Sequence, residues 1–106
     1  MNRIEAYVKK VTASAFDPSK VVTPQIHING SSARSLAEDY IEAMNVLDDA
    51  IDKLKKTSPN GRDYQHDASK LREALAQWHG HMTNIQNAKA YFEILAEHCV
   101  NDPRYK

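Results

Sequence analysis

The chain reads as an all-α protein: a long antiparallel helical hairpin with a short N-terminal helix and an extended arm, assembled as a homo-oligomer. Three observations predict this. Two long stretches place apolar residues at steps of three and four, the period of a helix face. A short segment holding Pro59, Asn60 and Gly61 separates them and supplies a bend. The apolar stripes are also longer than two paired helices can cover, and so small a core gains most readily from association. The 106 residues fit a single helical domain.

Taken in order, residues 2–15 carry Ile4, Tyr7, Val8, Val11 and Ala15 at helical spacing, with Arg3, Glu5, Lys9 and Lys10 between them. This predicts a short amphipathic helix, marginal alone, that can cover part of what the hairpin leaves open. Pro18 disfavours helix at the residue before it. Residues 16–30 read as an extended arm. Val21-Val22-Thr23-Pro24-Gln25-Ile26-His27-Ile28 is β-branched and alternates at its end, in the manner of an edge strand in an oligomer.

Asn29-Gly30 signals a turn, and either Ser31 or Ser32 can cap the helix behind it. Ser35 with Glu38 offers a second capping box. The helix is expected over 32–56, with Leu36, Tyr40, Ala43, Leu47, Ile51 and Leu54 on one stripe. Acidic residues fill its early and middle turns and lysines its last, which suits the helix dipole. Residues 57–67 form the loop. The second helix is expected over 68–100, started by Asp67 or Ser69, with a stripe from Leu71 through Trp78, Met82 and Phe92 to Cys99. Gly80 costs about 1 kcal/mol relative to alanine, which the sustained pattern outweighs. At 1.5 Å per residue the helices span roughly 35 and 50 Å. Asn101-Asp102-Pro103 stops the second.

Composition narrows function. With 42% hydrophobic and 26% charged residues the chain is neither disordered nor fibrous. Fourteen basic residues balance fourteen acidic ones, which argues against tracking duplex nucleic acid and against a membrane surface. The start of the chain lacks a secretory-signal pattern, and no apolar run reaches the roughly 20 residues of a membrane span. The single cysteine, Cys99, allows neither an intrachain disulfide nor a cysteine-rich zinc site. A cytoplasmic location is expected, in the host cytoplasm if the chain is phage-encoded.

No feature calls for catalysis, a cofactor or a metal. His79 and His81 stand about 200° apart on a helix and cannot chelate as an i, i+4 pair does. His81, near Trp78, reads as a packed and hydrogen-bonded residue. Glu42, Asp48, Asp49 and Asp52 read as a solvated face rather than paired catalytic carboxylates. The P-loop, the G-x-G-x-x-G pattern and the nucleophile elbow are all missing from the sequence.

Two segments are candidate binding sites. In Pro59-Asn60-Gly61-Arg62-Asp63-Tyr64, a positive φ at Asn60 and Gly61 would turn successive amides inward as an anion nest. Arg62 could then fork onto a phosphate while Tyr64 stacks on a base. The alternative is a plain turn, in which Arg62 pairs with Asp63 or a helix terminus and Tyr64 packs over the hairpin end. Asn29-Gly30-Ser31-Ser32 puts two hydroxyls and free amides at a helix start, which suits a phosphate or serves only as a cap. In a hairpin the two segments lie far apart within one chain, so they could meet only across subunits or by folding back of the arm.

From Ile26 to about Ala96 the chain resembles a family of small helical proteins of phages and prophages. The resemblance rests on Ile26-His27-Ile28-Asn29-Gly30-Ser31-Ser32, on Pro59-Asn60-Gly61-Arg62-Asp63-Tyr64, and on His79 or His81. That family usually has Asn-Gly-Thr-Ser at the first motif, and aromatic and glycine residues where this chain has Gln65-His66. In size, helicity and implied origin the chain is also similar to phage sponge proteins that sequester cyclic nucleotide immune signals. The expectation is therefore a non-catalytic oligomer that sequesters a small anionic ligand, a nucleotide or cyclic nucleotide. The alternatives are a protein–protein module that inhibits a host defence complex, and a structural virion or assembly component.

Overall fold

The computed structural model describes residues 16–105; the short helix expected over 2–15 lies outside the described residues. The molecule is all-helical, with two long helices and no strand among the described residues. Helix α1 spans Ala33–Leu54 and helix α2 spans Ala68–Val100.

The caps explain where each helix begins. Ser32 is extended, and its hydroxyl accepts the Ser35 amide N–H at 3.0 Å. One of the orphan donors of the first turn is thereby satisfied. Of the two serines, Ser32 is the cap and Ser31 precedes it. At α2, Asp67 Oδ1 accepts the Ser69 amide at 3.0 Å, the Ser69 hydroxyl at 2.6 Å and the Lys70 amide at 3.4 Å. These bonds, the Ser69 hydroxyl foremost, hold the Asp67 carboxyl below its usual range.

The ends are tightened turns. Beyond Leu54 the chain continues as a 3₁₀ turn, Lys55–Thr57, in which the Thr57 hydroxyl donates to the Leu54 carbonyl at 2.6 Å. Such tightening is a common way to use the last carbonyls of a helix. A second 3₁₀ turn, Gly61–Tyr64, fills the bend. Past Val100, the Asn101 and Tyr105 amides donate to Glu97 and Asp102 carbonyls, which coils the tail back over the helix end.

Contacts between the helices run along both. Ala33 and Ala37, at the start of α1, are buried with Cys99 near the end of α2, ringed by Ile26, Leu36, Tyr40 and Tyr105. The Tyr40 and Phe92 rings stand 6.3 Å apart. Lys89 Nζ reaches Asp48 Oδ1 at 2.6 Å, and Trp78 Nε1 donates to Thr57 Oγ1 at 3.0 Å. Small residues set this packing. Among the described residues the buried apolar set is Ala33, Ala37, Ile51, Ala76, Met82, Leu95, Ala96 and Cys99. Half of these are alanines, so the area removed from water is modest. Larger apolar side chains stay outside it, with Val46 61% and Ile41 41% exposed.

The arm departs from expectation. It opens with a 3₁₀ turn, Pro18–Lys20, capped by Asp17. The Val21–Ile28 stretch pairs with no strand among the described residues. Its carbonyls are satisfied differently: His98 Nε2 lies 2.9 Å from the Pro24 carbonyl oxygen, and Arg104 Nη1 donates to the Ile26 carbonyl. A carbonyl only accepts, so the His98 proton sits on Nε2.

Candidate functional site

The bend does not form a nest. Asn60 has φ −125° and ψ 159°, and no described residue, glycine included, has a positive φ. The cause is the Asn60 side chain. Its oxygen accepts the Arg62 amide at 2.9 Å and Arg62 Nε at 3.4 Å, while the Asn60 carbonyl accepts the Asp63 amide at 3.2 Å. Asn60 therefore caps a 3₁₀ turn, and the Arg62 and Asp63 amides are used inside it. Arg62 leans on Asn60 rather than on Asp63. Arg62 and Asp63 are exposed, and Tyr64 is half-buried where α2 begins.

The other segment sits in a better-shaped place. The arm, the first turn of α1 and the C-terminal tail enclose a groove of about 610 Å³, lined by Ile26, His27, Ile28, Gly30, Ser32, Ala33 and Arg104. The volume falls within the range of small-molecule sites. The Gly30 amide donates to the His27 carbonyl at 3.1 Å, which closes the Asn29-Gly30 turn. A Cβ on Gly30 would stand 2.9 Å from His27 Nε2, so glycine lets the imidazole lie against the turn. Asn29 and Ser31 are exposed and are not part of that lining.

Arg104 is the residue that sequence reasoning missed. It follows the helix-stopping Pro103, and nothing in its spacing connects it to a segment 78 residues away. One of its five N–H groups is used on the Ile26 carbonyl, which leaves the rest of the fork for an acceptor in the groove. Arg34 adds a second cation nearby, stacked 5.9 Å from the Tyr105 ring centroid and paired with Glu38 at 3.4 Å. With the partial positive charge of the α1 N-terminus, the groove suits an anion.

The two candidate segments do not converge within one chain. Thr57 meets α2 at Trp78 while Ala33 meets it at Cys99, points about 30 Å apart along a helix. His81 is exposed rather than packed, and Trp78 instead meets His79 edge-on at 5.1 Å. Asp48 holds Lys89, and their hydrogen bond pushes the Lys89 ammonium pKa up. Burial pushes the Cys99 thiol up, reinforced by Asp102, and keeps it protonated. No group of histidine, cysteine or carboxylate side chains suited to a metal occurs among the described residues. Nor is any helix among them long and apolar enough to cross a membrane. Set against protein-family models, curated proteins and solved structures, the chain matches none of them.

Proposed function

We propose that the chain is a non-catalytic, phage-type binding protein: an antiparallel hairpin that assembles as a homo-oligomer and sequesters a small anionic ligand, a nucleotide or cyclic nucleotide. The observation that carries this reading is the groove at the start of α1, where Arg104 and the capped first turn share one cavity with Ser32. In this reading the Arg104 fork and the amides of Ala33 and Arg34 hold phosphate, and the Ser31 hydroxyl closes over it. The arm residues Ile26 and Ile28 offer an apolar wall to a base. Arg62 and Tyr64 take part only where a second copy brings its bend to the groove. The thin alanine-rich core supports self-association.

The test is native mass spectrometry of the purified protein, alone and against mono-, di- and cyclic nucleotides. A discrete oligomer that takes up ligand in fixed stoichiometry is expected. Arg104→Ala should weaken uptake about tenfold to a hundredfold, the worth of a hydrogen bond to a charged group. A parallel loss on Arg62→Ala would place the site between subunits. An oligomer that stays empty across the panel would end the nucleotide reading.

One observation favours a second reading. Ile28, which lines the groove, is 97% exposed, a large apolar residue offered to solvent. A protein module that inhibits a host defence complex would use it as an anchor. Ile28→Asp would then abolish partner binding while Arg104→Ala left it intact.

A further inference from the structure

A second groove lies apart from the one at the start of α1. Asp39, Glu42, Ala43, Val46 and Leu47 of α1 and Phe92 of α2 enclose about 440 Å³. Phe92 is braced there, its ring 5.2 Å from Tyr91, edge-on, and 6.3 Å from Tyr40. Val46 stands beside it 61% exposed, so apolar surface stays in water that a partner could cover.

The carboxylates around this groove differ from the others on the helix. Helix α1 carries six, with neither lysine nor arginine between Arg34 and Lys53. Glu38, Asp48 and Asp52 are each paired, with Arg34 at 3.4 Å, Lys89 at 2.6 Å and Lys55 at 3.7 Å. Asp39, Glu42 and Asp49 are exposed, and their side chains make no ion pair or hydrogen bond among the described residues. On a helix these three and Val46 fall within roughly 80° of arc. The unpaired carboxylates and the open apolar surface therefore share one face.

We infer that this face docks a basic amphipathic helix of another protein. Its apolar residues sit over Val46 and Phe92, and its lysines or arginines meet Asp39, Glu42 and Asp49. Charge selects that occupant. The carboxylates repel phosphate-rich partners, an anionic membrane surface included. The α1 of a second copy is disfavoured in both directions. Antiparallel about Val46 it sets Glu42 beside Asp49, and parallel in register it sets each carboxylate beside its twin. A cationic helix instead supplies the missing partners while it covers the apolar surface. From Asp39 to Asp49 the face runs about 15 Å, so three turns of the partner span it.

The probe is a fluorescein-labelled peptide of about 14 residues, or four helical turns, with leucine at helical spacing and lysine at the flanking positions. Fluorescence anisotropy with the full chain should show that it binds, and that the same peptide with glutamate for lysine does not. Asp39→Asn/Glu42→Gln should weaken binding about tenfold. Glu38→Gln/Asp52→Asn removes as much charge from other faces and should leave binding within about twofold. Val46→Asn should also weaken it about tenfold. In ¹⁵N spectra the peptide should shift the amides of Ala43, Val46 and Phe92 and leave those of Gly61 and Asp63 in place. Equal weakening by the two double variants would reduce the effect to general attraction and overturn the proposal, as would shifts confined to other residues. Loss of self-association on Val46→Asn in sedimentation would assign the face to a second copy and overturn it too.

Discussion

Gly61 and Gly30 sit in the same dipeptide and do different work. Around Gly61 a Cβ would meet nothing within 4 Å, and the backbone is that of a 3₁₀ turn without positive φ. Alanine fits that conformation and has fewer unfolded states to lose, so Gly61→Ala should stabilise the protein by about 0.4–1 kcal/mol. Chemical denaturation measures this directly, and a destabilised variant would restore the nest geometry that the bend lacks. At Gly30 a Cβ runs into the His27 imidazole at 2.9 Å. The sequence shows that both sites turn, because Asn-Gly is a turn signal. It does not show the sign of φ, which depends on what the asparagine side chain captures. At Asn60 the captured group is the Arg62 amide.

Among the elements, the helix starts were legible and the choice of cap was only partly so. Ser31 and Ser32 are equivalent by type, and Asp67 and Ser69 nearly so. The structure separates them by which side chain reaches an orphan amide: Ser32 in α1, and in α2 Asp67, which also accepts the Ser69 hydroxyl. That bond has a pH consequence. The Asp67 carboxyl lies below its ordinary 3.8 in the folded chain. The unfolded chain therefore takes up the proton at higher pH. The stabilisation is present above 3.8 and is lost as the pH falls through the lowered value. Asparagine caps without titrating, so Asp67→Asn should show a smaller drop in Tm than the parent between neutral pH and pH values below about 4. Identical acid limbs in thermal melts would remove Asp67 from the account. Asp17, lowered by Ser19 in the same geometry, leaves the variant with some acid sensitivity.

At the scale of the molecule, periodicity revealed two long helices because steps of three and four are enforced at every turn of a packed face. It could not reveal how the arm and tail meet. The Pro24–His98 and Ile26–Arg104 contacts join residues 74 and 78 positions apart through carbonyls that every residue possesses, so no side-chain pattern advertises them. Both candidate segments stand out by residue type, and of the groove's lining Gly30 and Ser32 belong to one of them, whereas Ile26, Ala33 and Arg104 carry no such signal. The stripe residues that stay half-exposed, Leu47 and Phe92 among them, are where the sequence overstated the burial that two helices alone provide.

Those two arm-to-tail contacts also govern the order of events during folding. The helices are joined by a short bend, so their mutual contacts form outward from it, from Thr57 with Trp78 to Ala33 with Cys99. The arm-to-tail contacts lie beyond the last of these, 74 and 78 residues apart, and close cheaply only once that pairing is in place. The arm should dock last and release first, while α1 and α2 stay paired. Hydrogen exchange can see this as the Gly30 amide, bonded to His27, losing protection at lower opening free energy than amides in the middle of α2. Matching exchange rates would mean that the arm opens only with the whole protein. The groove at the start of α1 then exists for as long as the tail holds the arm, and the ligand proposed for it would prolong that hold.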